Sequence, residues 1–520
     1  MKVRKYINMV EIKRISISRG LLLSVLLFYL FTFLPLNASA QRRMPCIRHI
    51  PTDKAKTRGQ LGYPSQDWDP QRIYRQAVVL ISFADTDFSM DDPAGYYQRV
   101  LNERGYNEGY GQGCVADYFR DQSDGLLNLK FDVYGPFKVS VNANSGKSSY
   151  YGDDAMREAL QQLKAITTTD FSVYDWDGDG EVNQMVFIAA GFTGNQLSGY
   201  IWPNTQLQYG YMKAPGNLDI GMTSISCEKW KDGALCGIGT ICHEFTHCLG
   251  LPDIYPTGGT YFSAVDEWDL MDGGNYTNKG WCPPNFSAME KMLLGWSNPI
   301  ELTTATTITG MKPVSEGGET YLIRNSGYAD EYYLLENRRQ TKWDYCIPGE
   351  GLAIFHVDFD KEEWSNNEVN SDMPHLRYDL FHADGKDYLI WDPENNGKDM
   401  SKYTMDDWVR NRYLSTSVYP YTDPVSLVVN ASLTDDSEPA ATLFNDNADG
   451  KLFMQKAITN IRVASDGSVS FDFMQVPSGI EPVPTLSDGE GEWYDLQGRR
   501  LSGKPTHKGV FIHNRKKVAL

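Results

Sequence analysis

Histidine and cysteine are scarce in this chain, at eight of each among 520 residues. The cysteines are Cys46, Cys114, Cys227, Cys236, Cys242, Cys248, Cys282 and Cys346. No two form a CxxC pair, which excludes a zinc ribbon, and so few in so long a chain exclude a small disulfide-stapled scaffold. Cys227 and Cys236, flanking Asp232-Gly233, are spaced either to close a short loop or to remain as free buried thiols. Positive charge is also short: 49 Lys and Arg face 67 Asp and Glu, a net charge of −18. Such a surface repels phosphate backbones and anionic lipid, so nucleic acid and membrane surfaces are excluded as first partners. Long apolar runs are missing apart from Leu21 to Leu34, whose 14 residues fall short of the roughly 20 that span a bilayer. Internal repeats and low-complexity tracts are absent as well. With 41% hydrophobic and 22% charged residues, what remains is ordinary globular material, enough for two to four domains.

The short apolar run follows Lys2, Arg4, Lys5, Lys13, Arg14 and Arg19 and precedes Ala38-Ser39-Ala40. A basic start, an apolar core and a small-residue site form a cleavable export signal, residues 1–40, and imply an extracellular or cell-surface protein with no integral membrane segment once mature. Residues 41–75 are polar and turn-rich and read as a leader or pro-segment. Cys46 within it suggests a thiolate that caps a metal in a precursor, but its surroundings match no such motif and the reading is set aside. From Ala77 the run AVVLISFAD reads as a buried strand, Val115 to Arg120 as helical, Leu127 to Val133 as strand, Asp154 to Ile166 as helix and Met185 onward as another buried strand. Strands alternating with helices predict an α/β domain over 76–300. Beyond it, short apolar runs at β spacing (TYLIRN, EYYLLENR, GLAIFHVD, VSLVVN, ITNIRV, VSFDF) predict an all-β, sandwich-like accessory domain over 301–475. A Pro-rich linker, 476–491, and a basic hairpin, 492–520, with the look of a sorting tail, complete the chain.

The strongest chemical signal is HEFTHCLGLPD, His243 to Asp253. Residues four apart share a helix face, so His243 and His247 can direct two imidazoles at one zinc ion while Glu244 holds a water beside it. Ile238, Ile241, Cys242, Phe245, Cys248 and Leu249 fall on the opposite face, which predicts a helix with an apolar back and a polar front. Gly250 allows a sharp exit that brings Asp253 back as third ligand; the alternatives are Asp266, Glu267 and Asp269. HExxH arises by chance on the order of one time in a hundred in a chain with so few histidines, and the added Gly250 and Asp253 make coincidence rarer. Tyr255 and Tyr276 are candidate donors to a tetrahedral oxyanion, although a structural role fits each as well.

With WDLMDGG, Trp268 to Gly274, this stretch resembles the metzincin arrangement, in which a Met-bearing turn, here Met271, underlies the zinc site. The wider chain is similar to the immune inhibitor A family of secreted bacterial metallopeptidases. The resemblance is carried by GCVADYFRDQSDG (Gly113 to Gly125), YDWDGDGEVNQMVFIAAG (Tyr174 to Gly191), the helix motif, MEKMLLGW (Met289 to Trp296), EYYLLENRRQ (Glu331 to Gln340) and GLAIFHVD (Gly351 to Asp358). It covers roughly 75–475 and implies a zincin-like catalytic domain. The chain departs from it where Asp253 replaces the third His of many metzincins and where no Tyr lies two residues after Met271.

A second metal signal is Asp175, Asp177 and Asp179 with Glu181 and Asn183, the opening positions of a calcium loop. Val186 stands at position twelve in place of Glu, and a strand follows, so an EF-hand is excluded while a stabilising Ca²⁺ loop is predicted. His356, His375 and His382 read as structural or surface residues of the β-region. The combined expectation is an exported zinc endopeptidase acting on protein or peptide substrates, with Zn²⁺ on His243, His247 and Asp253 and Glu244 as general base. The competing class is a non-catalytic, calcium-stabilised binding protein with a relic zinc helix.

Overall fold

The unbroken β-branched run after Gln76 has no polar alternation, the pattern of a strand covered on both faces. Ala77 through Ile81 are fully buried, in the centre of a sheet. The computed structural model describes residues 46–49, 68–108, 110–208, 210–257, 264–372, 375–386 and 412–475, and in the last segment 493–494, 501, 505, 510–513 and 516–519. The expected export signal, the 476–491 linker and most of the leader lie outside the described residues.

Six strands form the first sheet: β1 (Ile47–His49), β2 (Ile73–Ser82), β3 (Asn128–Lys138), β4 (Glu181–Phe192), β5 (Asn204–Leu207) and β6 (Asp219–Lys229). Their order is β1-β5-β6-β4-β2-β3. All neighbours are parallel except β5 and β6. Around the sheet lie α1 (Pro93–Asn102), α2 (Val115–Gln122), α3 (Asp153–Ile166) and α4 (Gly239–Cys248). In α3 the buried residues Ala155, Met156, Ala159, Leu160 and Leu163 repeat at helical spacing, the stripe that fixes such a helix to a sheet. The mixed α/β character expected for this half of the chain is thus present.

Further on come β7 (Ile300–Glu301), β8 (Thr306–Met311), β9 (Tyr321–Arg324), β10 (Glu331–Arg338), β11 (Gly351–Asp358) and β12 (Tyr378–Leu380), then β13 (Tyr421–Thr422), β14 (Val429–Asn430), β15 (Ile458–Val463) and β16 (Val469–Phe473). They make a five-stranded sheet, β12-β11-β10-β9-β7, a three-stranded sheet, β15-β16-β8, and a small β13-β14 ladder. Successive residues of β10 and β11 point to opposite faces, and the two faces enter different cores. Tyr332, Leu334, Ala353 and Phe355 join the large core built around β2 and β4. Tyr333, Leu335, Leu352 and Ile354 join a second core with Phe471 and Phe473 of β16. The region past residue 300 is thus rich in β-strands but not all-β, since short helices occupy Lys361–Ser365 and Arg412–Ser415, and its five-stranded sheet also completes the core of the first sheet.

Arg338, at the end of β10, is fully buried between Asp344, 2.8 Å away, and Glu336, 3.3 Å away. It also donates to the carbonyl of Trp268, so β10 is pinned to the loop that leads into Met271. The last residues form a separate compact unit, Gln475–Leu520, whose β17 (Trp493–Tyr494), β18 (Val510–His513) and β19 (Lys516–Ala519) pair antiparallel. Among the described residues no helix is long and apolar enough to cross a membrane.

Candidate metal centre

Helix α4 carries the histidine motif, and its C-terminus explains how Asp253 reaches the motif. The chain leaves through Gly250, at φ +100°. The Gly250 amide donates to the His247 carbonyl at 2.9 Å and the Leu251 amide to the Thr246 carbonyl at 3.4 Å. This paired closure requires positive φ at Gly250, which Gly adopts without a Cβ penalty. The reversal sends Leu251-Pro252-Asp253 back along the helix.

Three ligand-type atoms meet there. Nε2 of His243 and Nε2 of His247 are 3.2 Å apart, and each lies 3.2 Å from Oδ1 of Asp253. Both Nδ1 atoms are committed to main-chain carbonyls, His243 to Leu270 at 2.9 Å and His247 to Leu251 at 2.7 Å. An imidazole that donates through Nδ1 presents a bare lone pair at Nε2, the tautomer that binds metals. Asp253 Oδ1 is buried with no hydrogen-bond partner. Three acceptor atoms facing one another without a hydrogen between them repel; a proton or a cation at their centre reverses that. Ligands at ~2.0–2.1 Å from a tetrahedral zinc ion stand roughly 3.3 Å apart, so this triangle fits zinc in spacing and in donor type.

The other oxygen of Asp253 is held in place. Oδ2 accepts from Asn367 Nδ2 at 2.8 Å and from the Cys46 amide at 3.2 Å, while the Asp253 amide donates to Asn367 Oδ1 at 2.6 Å. Asn370 steadies the same loop by donating to the Ile254 carbonyl at 2.8 Å. Burial alone would push the Asp253 carboxyl up, but the two imidazoles of His247 and His243 beside it outweigh that and hold the group well below the usual carboxylate range. Met271 is fully buried. Its carbonyl accepts from the Ile254 amide at 2.9 Å, and its amide donates to Asp269 Oδ1 at 2.8 Å. The Asp269–Met271 turn thus contacts both His243, through Leu270, and the loop bearing Asp253.

Glu244 stands beside the triangle. Thr205 of β5 donates to its carboxyl Oε2 at 2.9 Å and lies 2.8 Å from its carbonyl oxygen. Burial lifts this carboxyl to about 8, with Asp253 adding to the rise and His243, Thr205 and Cys46 opposing it. A carboxyl so placed can take up a proton and release it near neutral pH.

The polar front of helix α4 is covered: His243, Glu244 and His247 are as buried as Cys242 and Phe245 behind them. The returning loop and β1 cover that face. Cys227 and Cys236 are not bonded to each other, and all eight cysteines are free thiols; Cys227 Sγ instead approaches the Ile201 carbonyl at 3.5 Å. The thiol set aside from sequence, Cys46, is brought to the centre: its sulfur and the three ligand atoms all lie within 4.8 Å of one another. Asp266, Glu267 and Asp269 do not join that group, and Asp269 is engaged with Met271.

Asn367 is a site residue the sequence did not disclose, 114 positions from Asp253 and in no motif. Tyr255 is buried with its hydroxyl 3.0 Å from Cys46 Sγ, while Tyr276 is 40% exposed and its hydroxyl accepts from Asn195 at 3.2 Å. His356, His375 and His382 pair with Glu331, Asp358 and Ser417, away from the cluster.

In the acidic loop, Asp175, Asp177 and Asp179 bring one oxygen each within 4.8 Å of the others, at half-buried to exposed positions. Glu181 does not join that group. Asp175 accepts from the amides of Gly178 and Gly180 at 2.7 and 2.9 Å, Asp179 from that of Glu181 at 2.8 Å, and Asn183 from that of Trp176. Burial and the neighbouring Asp179 push Asp177 up.

Residues 217–297 match the family described as immune inhibitor A peptidase M6, catalytic domain. The chain is 23% identical over 278 residues to the pre-pro-metalloprotease PrtV of Vibrio cholerae serotype O1, covering 45% of this chain and 29% of that protein. It is 24% identical over 311 residues to immune inhibitor A of Bacillus thuringiensis subsp. alesti, covering 49% of this chain and 44% of the relative. The matches span less than half the length of these curated relatives. They carry the resemblance drawn from the helix motif and its flanking stretches.

Proposed function

We propose that the chain is a zinc-dependent endopeptidase. The observation that carries this reading is the closed triangle of His243 Nε2, His247 Nε2 and Asp253 Oδ1, with an orphaned buried oxygen at one corner and Glu244 alongside. Zinc, when bound, polarises a peptide carbonyl and lowers the pKa of a coordinated water. His243, His247 and Asp253 would hold it, oriented by the carbonyls of Leu270 and Leu251 and by Asn367. Glu244, positioned by Thr205, takes a proton from the attacking water onto its carboxylate and passes it to the departing amine. Met271 supports the site from below as part of a Met-turn. Residues 76–300 would supply the catalytic chemistry and 301–475 the bracing β-domain.

Export follows from the tripartite layout of residues 1–40, and protein or peptide substrates follow from the metallopeptidase names of the relatives. A Ca²⁺ ion at Asp175, Asp177 and Asp179, with Glu181 and Asn183 nearby, would stabilise the entry to β4. Metal analysis together with casein cleavage tests the main reading. Stoichiometric zinc and cleavage abolished in Glu244→Ala are expected; a purified protein that neither binds zinc nor cleaves casein after its N-terminal segment is removed would overturn it.

A further inference from the structure

Hydrolysis assigns no task to Cys46, yet its sulfur is in the buried cluster with His243, His247 and Asp253. Several independent contacts put it there. The Cys46 amide donates to Asp253 Oδ2 at 3.2 Å, its carbonyl accepts from the Thr205 amide at 2.8 Å, and its sulfur lies 3.0 Å from the Tyr255 hydroxyl. The next residues run along β5 in parallel register, Ile47 opposite Thr205, Arg48 opposite Gln206 and His49 opposite Leu207. Ile47 is buried against Leu207, with Met222 packed beside them.

Thr205 therefore serves two neighbours at once: its hydroxyl holds Glu244 and its amide holds Cys46. The outer edge of β5 is the sheet edge nearest the general base, where an extended peptide could add as a strand and bring its carbonyl to the metal. With β1 in place, that edge is already paired. A site with three protein ligands keeps a fourth position for water or substrate, and a thiolate is a strong zinc ligand for such a position.

We propose that Cys46 is a latch: its sulfur fills the fourth ligand position of the zinc held by His243, His247 and Asp253 while β1 occupies the β5 edge, so the chain is latent until β1 is withdrawn. This rests on the zinc reading above. On binding, the thiol gives up its proton to solvent and the sulfur donates a lone pair to the metal. On withdrawal, water takes the position the sulfur leaves, and the Tyr255 hydroxyl loses its sulfur partner and faces the site. Among the described residues the latch is held by three paired residues and the buried Ile47 side chain, and removing the segment, or modifying the thiol, opens it.

The test uses the full chain loaded with cobalt(II) in place of zinc. A sulfur-to-cobalt charge-transfer band in the near ultraviolet is expected in the unaltered protein and should vanish in both Cys46→Ser and Cys46→Ala. With zinc, unprocessed Cys46→Ala, its intact mass verified, should cleave casein at least about tenfold faster than the unprocessed parent. Stoichiometric cobalt without the band in the unaltered chain, or a band that persists in either variant, overturns the latch and leaves the zinc reading standing. Failure of the unaltered and the Cys46→Ala chains alike to bind metal overturns both.

Discussion

The molecule gathers ligand-type side chains in two places, and the two are built differently. Around His243, His247 and Asp253 every orienting hydrogen bond comes from outside the triangle: from carbonyls, from Asn367 and from the Cys46 amide. The inward atoms are left bare and dry. In the Asp175–Asn183 loop the carboxylates of Asp175 and Asp179 accept from amides of the loop itself, and Asp177 and Asp179 are exposed. An acidic turn at the surface can stabilise itself with its own backbone; buried acceptors that face one another cannot, because an unpaired polar atom in low dielectric is costly. Need for a cation thus follows burial and the direction of the hydrogen bonds more than the number of carboxylates.

That contrast can be broken at several points, the largest effects first. His247→Ala should lose both zinc and peptidase activity, measured by metal analysis and casein cleavage; full zinc occupancy in that variant would move the site elsewhere. Glu244→Ala should lose activity as completely yet keep near-stoichiometric zinc if, as proposed, Glu244 acts as a base and not as a ligand. More than a few per cent of residual activity would refute the assignment. Asp253→Ala should weaken zinc binding by at least about a hundredfold, ~2.8 kcal/mol, in titrations against a competing chelator, while Asp266→Ala leaves it unchanged. The opposite ranking would hand the third ligand to the acidic cluster after the helix.

Asn367→Ala should cost roughly tenfold in zinc affinity, the usual price for losing a partner that orients a ligand; an affinity equal to the parent's would reduce Asn367 to a packing residue. The smallest effect belongs to the surface loop. Saturating Ca²⁺ should raise thermal stability modestly, about 2.7 kcal/mol at a hundredfold excess over its dissociation constant. Asp177→Ala should abolish that response with zinc content intact, and a calcium response that survives would remove the loop as a site.

The parts of this architecture legible in the sequence are those with a local signature. The β-branched run after Gln76 marked β2, the i, i+4 histidines marked a helix face, and Gly250 three residues before Asp253 marked the reversal. Contacts made across long stretches of chain left no such mark. Asn367 reaches Asp253 over 114 positions and Cys46 does so over 207; residue type alone suggests a metal-capping thiolate at Cys46, and nothing near Asn367 announces the meeting. The burial of the polar front of α4 is not legible for the same reason: helical periodicity shows which residues share a face, but not what covers it. The boundary drawn near residue 300 followed a change in strand texture, which does not reveal that Leu334 and Phe355 pack in the core of β2 and β4.

Because alternate residues of β10 and β11 belong to two cores, the α/β half has no surface along which it can be cut. A fragment limited to the matched stretch, 217–297, would carry α4 and the Met271 turn but neither β2 nor β4. A fragment ending near 300 would leave the large core open where Leu334 and Phe355 close it, and Asp253 without Asn367. Both halves should therefore melt in one cooperative transition, and zinc bound at the triangle should raise the temperature at which the distant β-sandwich unfolds.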